Sequence, residues 1–319
     1  MAGGILVTGA GGFAGSHLVD LLARDGREIV TWSRRAGDGD VPARTSARRP
    51  GVAVEYIDVL DAIAVREAVA RIRPSVVYHC AGAAHVGRSW SQTETTLSVN
   101  VRGTHHVLEA LRFAGIKARF FVPSSAMVYR SIDEPLTEDH PLVPESPYGV
   151  SKLAQELLAC RAMADDLEVA IARSFNHFGP RQDPSFVASS FARQIAEIES
   201  GRRDAELLVG NLDARRDLTD VRDTVRAYVM LVERGRPGRP YNVCSGRAVT
   251  VRELLDRLLS LARIKIKVRV DAERYRPNDV PLVLGDPTRI HREVGWAAEI
   301  PLERTVGDLL EYWRAQLMV

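Results

Sequence analysis

Lysine is almost missing from this 319-residue chain. Of 43 basic residues only Lys117, Lys152, Lys265 and Lys267 are lysines, so the placement of each one matters. Cysteine is scarce as well: Cys80, Cys160 and Cys244 stand far apart and lack metal-ligand spacing. That excludes a disulfide scaffold and a thiolate metal centre, and it reads as reduced thiols in a cytoplasmic protein. No metal is expected. No apolar run reaches the ~18 residues needed to span a bilayer, so no membrane partner is expected. Met1 to Gly4 runs straight into a strand-like segment, without a basic leader and cleavable apolar stretch. An excess of one charge sign is also lacking. The net charge is +2, which gives no field for nucleic acid or an anionic membrane. Apolar residues make up 45% and charged residues 26%, as in an ordinary globular chain. The length allows one large domain, or two unequal ones sharing a core.

What is present is alternation. Ile5-Leu6-Val7-Thr8 reads as a buried strand, and Phe13 to Arg24 has helical periodicity. Strands follow at Glu28–Ser33, Ala53–Ile57, Ser75–Cys80, Ala118–Pro123 and Glu168–Arg173. Helices fall between them at Ala62–Ile72, Thr93–Phe113 and Tyr148–Ala164. Strand alternating with helix predicts an α/β fold, a Rossmann-like doubly wound parallel sheet. Beyond Asn176 the elements shorten. Helices are expected at Thr224–Arg234, Val251–Leu261 and Leu302–Gln316, and strands at Arg239–Val243 and Lys265–Val270. A division follows: residues 1–175 form the nucleotide-binding domain. Residues 176–319 form mainly a smaller mixed α/β domain, with some segments returning to the first. Arg34 to Pro50 reads as a polar, mobile loop, and no internal repeat is visible.

Thr8-Gly9-Ala10-Gly11-Gly12-Phe13-Ala14-Gly15 lies between the first strand and the first helix, the context a dinucleotide motif requires. Gly9, Gly12 and Gly15 would let the backbone approach a pyrophosphate at the helix N-terminus. At the end of the second strand an NAD enzyme carries a carboxylate for the ribose 2′-hydroxyl. Here Trp32-Ser33-Arg34-Arg35 stands instead. Guanidinium groups bind a 2′-phosphate through charge-assisted bonds, which favours NADP(H).

Tyr148 and Lys152 lie four apart at the start of a helix, on one face. An ammonium beside a phenol lowers the phenol's pKa from about 10, making a general acid/base for an alcohol–ketone couple. Ser124-Ser125 follows the fifth strand, where Ser125 can hold the reacting oxygen. In order and spacing, the glycine turn, Ser125, Tyr148 and Lys152 resemble the extended short-chain dehydrogenase/reductase family. His79-Cys80-Ala81-Gly82-Ala83 and Asn100 continue the similarity. The resemblance implies that Gly9, Gly12, Phe13, Gly15, Ser33, Arg34, Arg35, Asp58, Val59, Ala81, Gly82, Ala83, Tyr148, Lys152 and Phe175 surround the cofactor. Asp58 would lie near the adenine and Asn100 would support the active site. Lys152 would also hold the nicotinamide ribose.

The second half resembles the branch acting on nucleotide-diphosphate sugars, GDP-sugars above all. Asn176, in Arg173-Ser174-Phe175-Asn176-His177-Phe178-Gly179-Pro180, matches an asparagine that contacts the substrate diphosphate. Leu208 to Asp217 is similar to a segment of GDP-mannose 4,6-dehydratases and GDP-4-keto-6-deoxymannose reductases. Arg216 and Arg276 then match two diphosphate-binding arginines, and Asn211 belongs to the same segment. His85, Ser89, Ser125 and Ala126 would meet the sugar, and Arg193 the base.

One further absence decides the reaction. Dehydratases of this kind carry an acidic pair just after the catalytic Ser/Thr, where this chain has Ala126 and Met127. Neither side chain moves a proton. The leading expectation is therefore an NADPH-dependent 4-ketoreductase yielding GDP-rhamnose or its C4 epimer. A 4-epimerase with tightly held NAD(P) stays open, a 4,6-dehydratase less so, as does a non-catalytic NADP-binding sensor. The family's glycine after Val-Tyr is Arg130 here. The resemblance also implies a homodimer through a four-helix bundle. Val107, Leu108 and Leu111 on one helix and Leu153, Leu157 and Leu158 on the other supply either that surface or ordinary core contacts.

Overall fold

The computed structural model describes residues 4–34, 50–271 and 280–318. The loop read at Arg34–Pro50 therefore lies almost wholly outside the described residues, as do Arg35 and Arg276.

Strand β1 (Ile5–Thr8) is buried along its whole length and leads into helix α1 (Phe13–Arg24). Then come β2 (Ile29–Ser33), β3 (Val52–Tyr56), α2 (Ala62–Ile72) and β4 (Val76–His79). Asp61 caps α2 by accepting from the N–H groups of Ile63 and Ala64, which satisfies donors the first turn leaves unpaired. Two short helices, α3 (Val86–Ser89) and α4 (Thr93–Leu97), precede α5 (Gly103–Phe113). The long helix expected over Thr93–Phe113 is thus interrupted, because Ser98–Arg102 is a π-helical turn. Strand β5 (Arg119–Ser125), α6 (Pro147–Ala162) and β6 (Glu168–Ser174) complete the alternating half.

The later chain is built of shorter pieces. These are β7 (Asn176–Phe178), α7 (Val187–Glu199), β8 (Glu206–Val209), β9 (Arg215–Asp220), α8 (Val221–Arg234) and β10 (Pro240–Val243). After them come β11 (Ala248–Thr250), α9 (Val251–Ser260), β12 (Lys267–Val270), β13 (Leu282–Val283), α10 (Thr288–Val294) and α11 (Leu302–Leu317).

Seven parallel strands in the order β10-β6-β5-β4-β1-β2-β3 make the main sheet. The order reverses between β1 and β4, and doubly wound sheets bind ligands at such a switch point, beyond the strands' carboxyl ends. Both faces are covered. One apolar cluster joins Val7, Leu18, Tyr78, Phe121, Tyr228 and Trp296, and the other joins Leu6, Trp32, Val65, Leu111, Phe120 and Val169. Although β10, α8 and α10 come late in the chain, they pack on this sheet. A third cluster, with Phe191, Ile195, Leu254, Leu258 and Leu309, fills the space between α7, α9 and α11. Strand β9 pairs with β7, β11 and β13, so it ties that region to the sheet's edge.

Candidate active site

Three turns leaving β1, β4 and β5 converge at the switch point. In the first, Gly9 has φ +65°, a left-handed conformation, and a Cβ there would stand 2.5 Å from the Ala81 nitrogen. A Cβ on Gly15 would stand 2.3 Å from the Gly9 carbonyl oxygen. Both clashes are with backbone, which cannot swing aside as a side chain can. The Gly12 N–H donates to the Gly9 carbonyl at 2.9 Å, and α1 starts one residue later with no side chain capping it. A bare helix N-terminus beside a glycine turn fits the pyrophosphate of a dinucleotide. Phe13 stacks on His177, with centroids 5.7 Å apart and planes 7° from parallel, so this turn also meets the start of β7.

Ser33 is buried, and its carbonyl accepts from the Ile57 N–H at 3.2 Å. Arg34 follows it, exposed. Asp58 is exposed at the next strand end and accepts from the Leu60 N–H at 2.9 Å. Val59 is buried against α5, where a Cβ on Gly103 would meet it at 2.8 Å.

The second turn carries Ala81, Gly82 and Ala83. Asn100 holds it from both sides: its Oδ1 accepts from the Ala83 N–H at 2.7 Å, and its Nδ2 donates to the Ala83 carbonyl at 3.1 Å. The same amide donates to Ser151 Oγ at 2.8 Å, which links the turn to α6. Asn100 sits within the π-helical turn, and such turns gather at functional sites.

The third turn and α6 supply the candidate reacting groups. Ser125 closes β5, and its hydroxyl accepts from the Met127 N–H at 3.2 Å. Ser146 caps α6 by accepting from the Gly149 N–H at 3.1 Å, and Pro147 opens the helix. Tyr148 therefore stands in the first turn, with its own N–H donated to Ser89 Oγ at 3.2 Å. Ser89 is 1% exposed and also donates to the Val86 carbonyl, so this hydroxyl serves the helix. Burial pushes the Tyr148 phenol up to about 12, against a lowering hydrogen bond with Ser125. Burial pushes the Lys152 ammonium down to about 8, with Cys80 and Glu156 opposing. Desolvation thus governs the phenol, and its pKa moves opposite to the depression expected from Lys152. The Lys152 Nζ lies 5.8 Å from the Tyr148 ring centre. A phenol that keeps its proton through the neutral range is poised to give a proton rather than take one.

A cavity of about 370 Å³ opens beside these groups. Ala126, Met127 and Ser146 line it next to the reacting residues, and Trp90, Arg130 and Val283 line it further out. Arg130, left without an account from sequence, is exposed in this wall. Among substrate candidates, Asn176 is exposed at the start of β7, and half-buried Arg216 sits on β9 in register with Val283. Asn211 accepts from the Asp213 N–H at 2.9 Å, inside its own turn. His85 caps α3 and lies 5.0 Å from the Phe186 ring. Arg193 pairs with Glu197 at 2.7 Å, lies over Trp313 and is not part of the cavity wall. Phe175 is buried, against Gly285. The structure thus gathers the glycine turn, Ala81 to Ala83, Asn100, Ser125, Tyr148 and Lys152. Sequence reasoning missed Trp90 in the wall and Gln155 beside Lys152, since neither falls in a motif, and it noted Arg130 without giving it a role. Among the described residues no cluster suits a metal, and no helix is long and apolar enough to cross a membrane.

A doubly wound parallel sheet with a glycine turn and a Ser–Tyr–Lys site at its switch point defines an NAD(P)-dependent oxidoreductase. Residues 6–309 match the family described as GDP-mannose 4,6 dehydratase, and the chain belongs to that family. It is similar to the GDP-6-deoxy-D-mannose reductase of Pseudomonas aeruginosa, 33% identical across 98% of each chain. Among solved structures it is similar to RMD from Pseudomonas aeruginosa complexed with NADPH. There the TM-score is 0.84 and the identity 32%, over 98% of this chain and 99% of that one. The UDP-glucose 4-epimerase of Thermotoga maritima, solved with UDP-glucose, superimposes with a TM-score of 0.86 at 26% identity. It covers 98% of this chain and 99% of its own.

Proposed function

We propose that this enzyme uses NADPH to reduce the C4 ketone of a GDP-linked 4-keto-6-deoxy sugar, yielding GDP-rhamnose or its C4 epimer. One observation carries the reading: the cavity wall directly after Ser125 is Ala126 and Met127. Elimination needs an acid and a base there, and neither side chain is one. The likeness to a GDP-6-deoxy-D-mannose reductase supports the same choice. The high pKa of Tyr148 suits it too, since reduction asks the phenol to act as an acid.

Gly9, Gly12 and Gly15 would hold the pyrophosphate, with Asp58 and Val59 near the adenine. The lack of a carboxylate after β2, and the presence of Arg34 and Arg35, support NADPH over NADH. When bound, that cofactor supplies the hydride. Tyr148 gives its proton to the oxygen at C4, and Ser125 holds that oxygen in line. Lys152 keeps the phenol and the ribose in place. Asn176, Arg216 and Arg276 would bind the diphosphate, and Arg130 the outer part of the sugar nucleotide.

The reading includes a cytoplasmic homodimer. Val107 and Leu111 are fully buried within the single chain, so they belong to its core. Leu157 is 63% exposed and Val150 46% exposed on α6, which leaves them for a second copy. Product analysis tests the chemistry. Given GDP-4-keto-6-deoxymannose and NADPH, the enzyme should release a GDP-6-deoxyhexose heavier by two hydrogens. Given GDP-mannose alone, it should leave the substrate unchanged, and loss of water from GDP-mannose would overturn the reading.

A further inference from the structure

The Lys152 ammonium is held by two acceptors. It donates to the Pro123 carbonyl at 2.9 Å and to Gln155 Oε1 at 2.9 Å. Gln155 is 0% exposed and in turn donates through Nε2 to Thr104 Oγ1 at 2.7 Å. Thr104 donates its only hydroxyl proton to the Asn100 carbonyl at 2.6 Å. Its oxygen must therefore accept from its other neighbours. One of those is His79 Nε2, at 3.0 Å, so that nitrogen carries the ring proton. Burial holds His79 far below its ordinary pKa, so the ring is neutral and its Nδ1 is an acceptor. Thr8 Oγ1, 2.9 Å away, then donates to Nδ1 while accepting from the Ala81 N–H at 3.1 Å.

This proton accounting leaves no freedom. The amide of Gln155 cannot flip, because its NH2 end alone can donate to a Thr104 oxygen whose proton is spent elsewhere. Its carbonyl is therefore fixed toward Lys152. The network runs through fully buried groups from the turn after β4 to the active-site lysine, and it contains no carboxylate. A fixed amide carbonyl favours the charged lysine, whereas burial opposes it.

We propose that Gln155 is a positioning residue for Lys152, its carbonyl aimed by Thr104 and His79 so that, with the Pro123 carbonyl, it engages two of the three ammonium N–H bonds. The other titratable groups facing Lys152 are His79 from β4, Cys80 just after it, and Tyr148 and Glu156 from α6 itself. The inference goes beyond the reductase reading, and its test needs neither substrate nor cofactor.

The scarcity of lysine makes the test direct. In the chain labelled with carbon-13 lysine, four side chains report by nuclear magnetic resonance, and Lys117, Lys265 and Lys267 are exposed. Lys117, paired with Asp166, should titrate above its ordinary value of about 10.4. Lys152, identified by its loss in Lys152→Met, should titrate near 8. Gln155→Leu removes an acceptor and should move that midpoint down by about one unit. Gln155→Glu places a carboxylate beside the ammonium and should move it up by about one unit or more. Thr104→Val frees the amide and should move it down by less than Gln155→Leu does. A folding defect alone would not shift the midpoint in opposite directions. If Gln155→Leu fails to fold, Gln155→Glu and Thr104→Val decide. An unchanged Lys152 midpoint in the folded variants, or shifts of one sign in all of them, would overturn the proposal.

Discussion

At the scale of single residues, the proposed chemistry rests on two side chains whose burial moves their pKa values apart, Tyr148 up to about 12 and Lys152 down to about 8. Tyr148→Phe should keep the fold and cofactor affinity while kcat falls about 10²- to 10⁴-fold, as removal of a general acid does. Stopped-flow and steady-state rates would read both. The pH dependence follows from Lys152 and Tyr148. Lys152 loses its proton as pH rises through about 8, whereas Tyr148 keeps its own to about 12. Reduction should therefore be sustained below about pH 8 and decline above it on the lysine limb alone, and the kcat/KM profile would show whether it does. Gly15→Ala should weaken NADPH binding at least tenfold by titration calorimetry, because its Cβ would lie 2.3 Å from the Gly9 oxygen. The candidate pair Tyr148 and Lys152 was legible in the sequence because its spacing puts both on one helix face and the glycine turn and Ser125 give it context. Gln155 was not. A lone glutamine has no signature, and its importance comes from the proton accounting of buried neighbours on β4 and α5.

At the scale of elements, strands β1 to β6 and helices α1, α2 and α6 were legible to within a residue or two, since buried parallel strands alternate with amphipathic helices, whereas the single turn of α3 was not. The π-helical turn at Ser98–Arg102 was not, because one widened turn barely disturbs helical periodicity. It nevertheless places Asn100. Asn100→Ala would leave the Ala83 N–H without its acceptor and take a donor from the Ala83 carbonyl and from Ser151 Oγ, which keeps its own bond to the Tyr148 carbonyl. The expected cost is about 2–3 kcal/mol in denaturant melts, from the loss of buried hydrogen bonds. Strand β9 was missed for another reason. Its sequence, Arg-Arg-Asp-Leu-Thr-Asp, has little strand propensity, and pairing with β7, β11 and β13 makes it a strand. Its Asp217 is 0% exposed and accepts from Ser245 and from the Gly246 and Gly285 N–H groups, a contact set no local pattern announces. Helix α7 lacks a capping side chain and follows a stretch rich in Gly and Pro, so its start carried no signal.

At the scale of the whole molecule, buried histidines tie stability to pH. Burial pushes His17 down to about 4 and His79 to about 3. In the unfolded chain each ring takes a proton near 6.5, which the folded chain refuses, so stability falls as pH drops from about 6.5 toward 4. His17 alone should account for about 3 kcal/mol of that loss. Thermal melts across this window would show it, and His17→Gln should flatten part of the slope. The late return of β10 and α8 to the main sheet is a whole-molecule feature as well. It holds the far strands of that sheet to the region carrying Asn176 and Arg216, so cofactor and sugar nucleotide would meet on one frame.

The central claim is reduction by NADPH at the Tyr148 site, and the loss of NADPH absorbance with GDP-4-keto-6-deoxymannose tests it most directly. The account predicts turnover with NADPH, much slower turnover with NADH, and none above background in Tyr148→Phe. No oxidation of either nucleotide by a protein that binds NADPH tightly, or equal rates in the wild type and Tyr148→Phe, would contradict it.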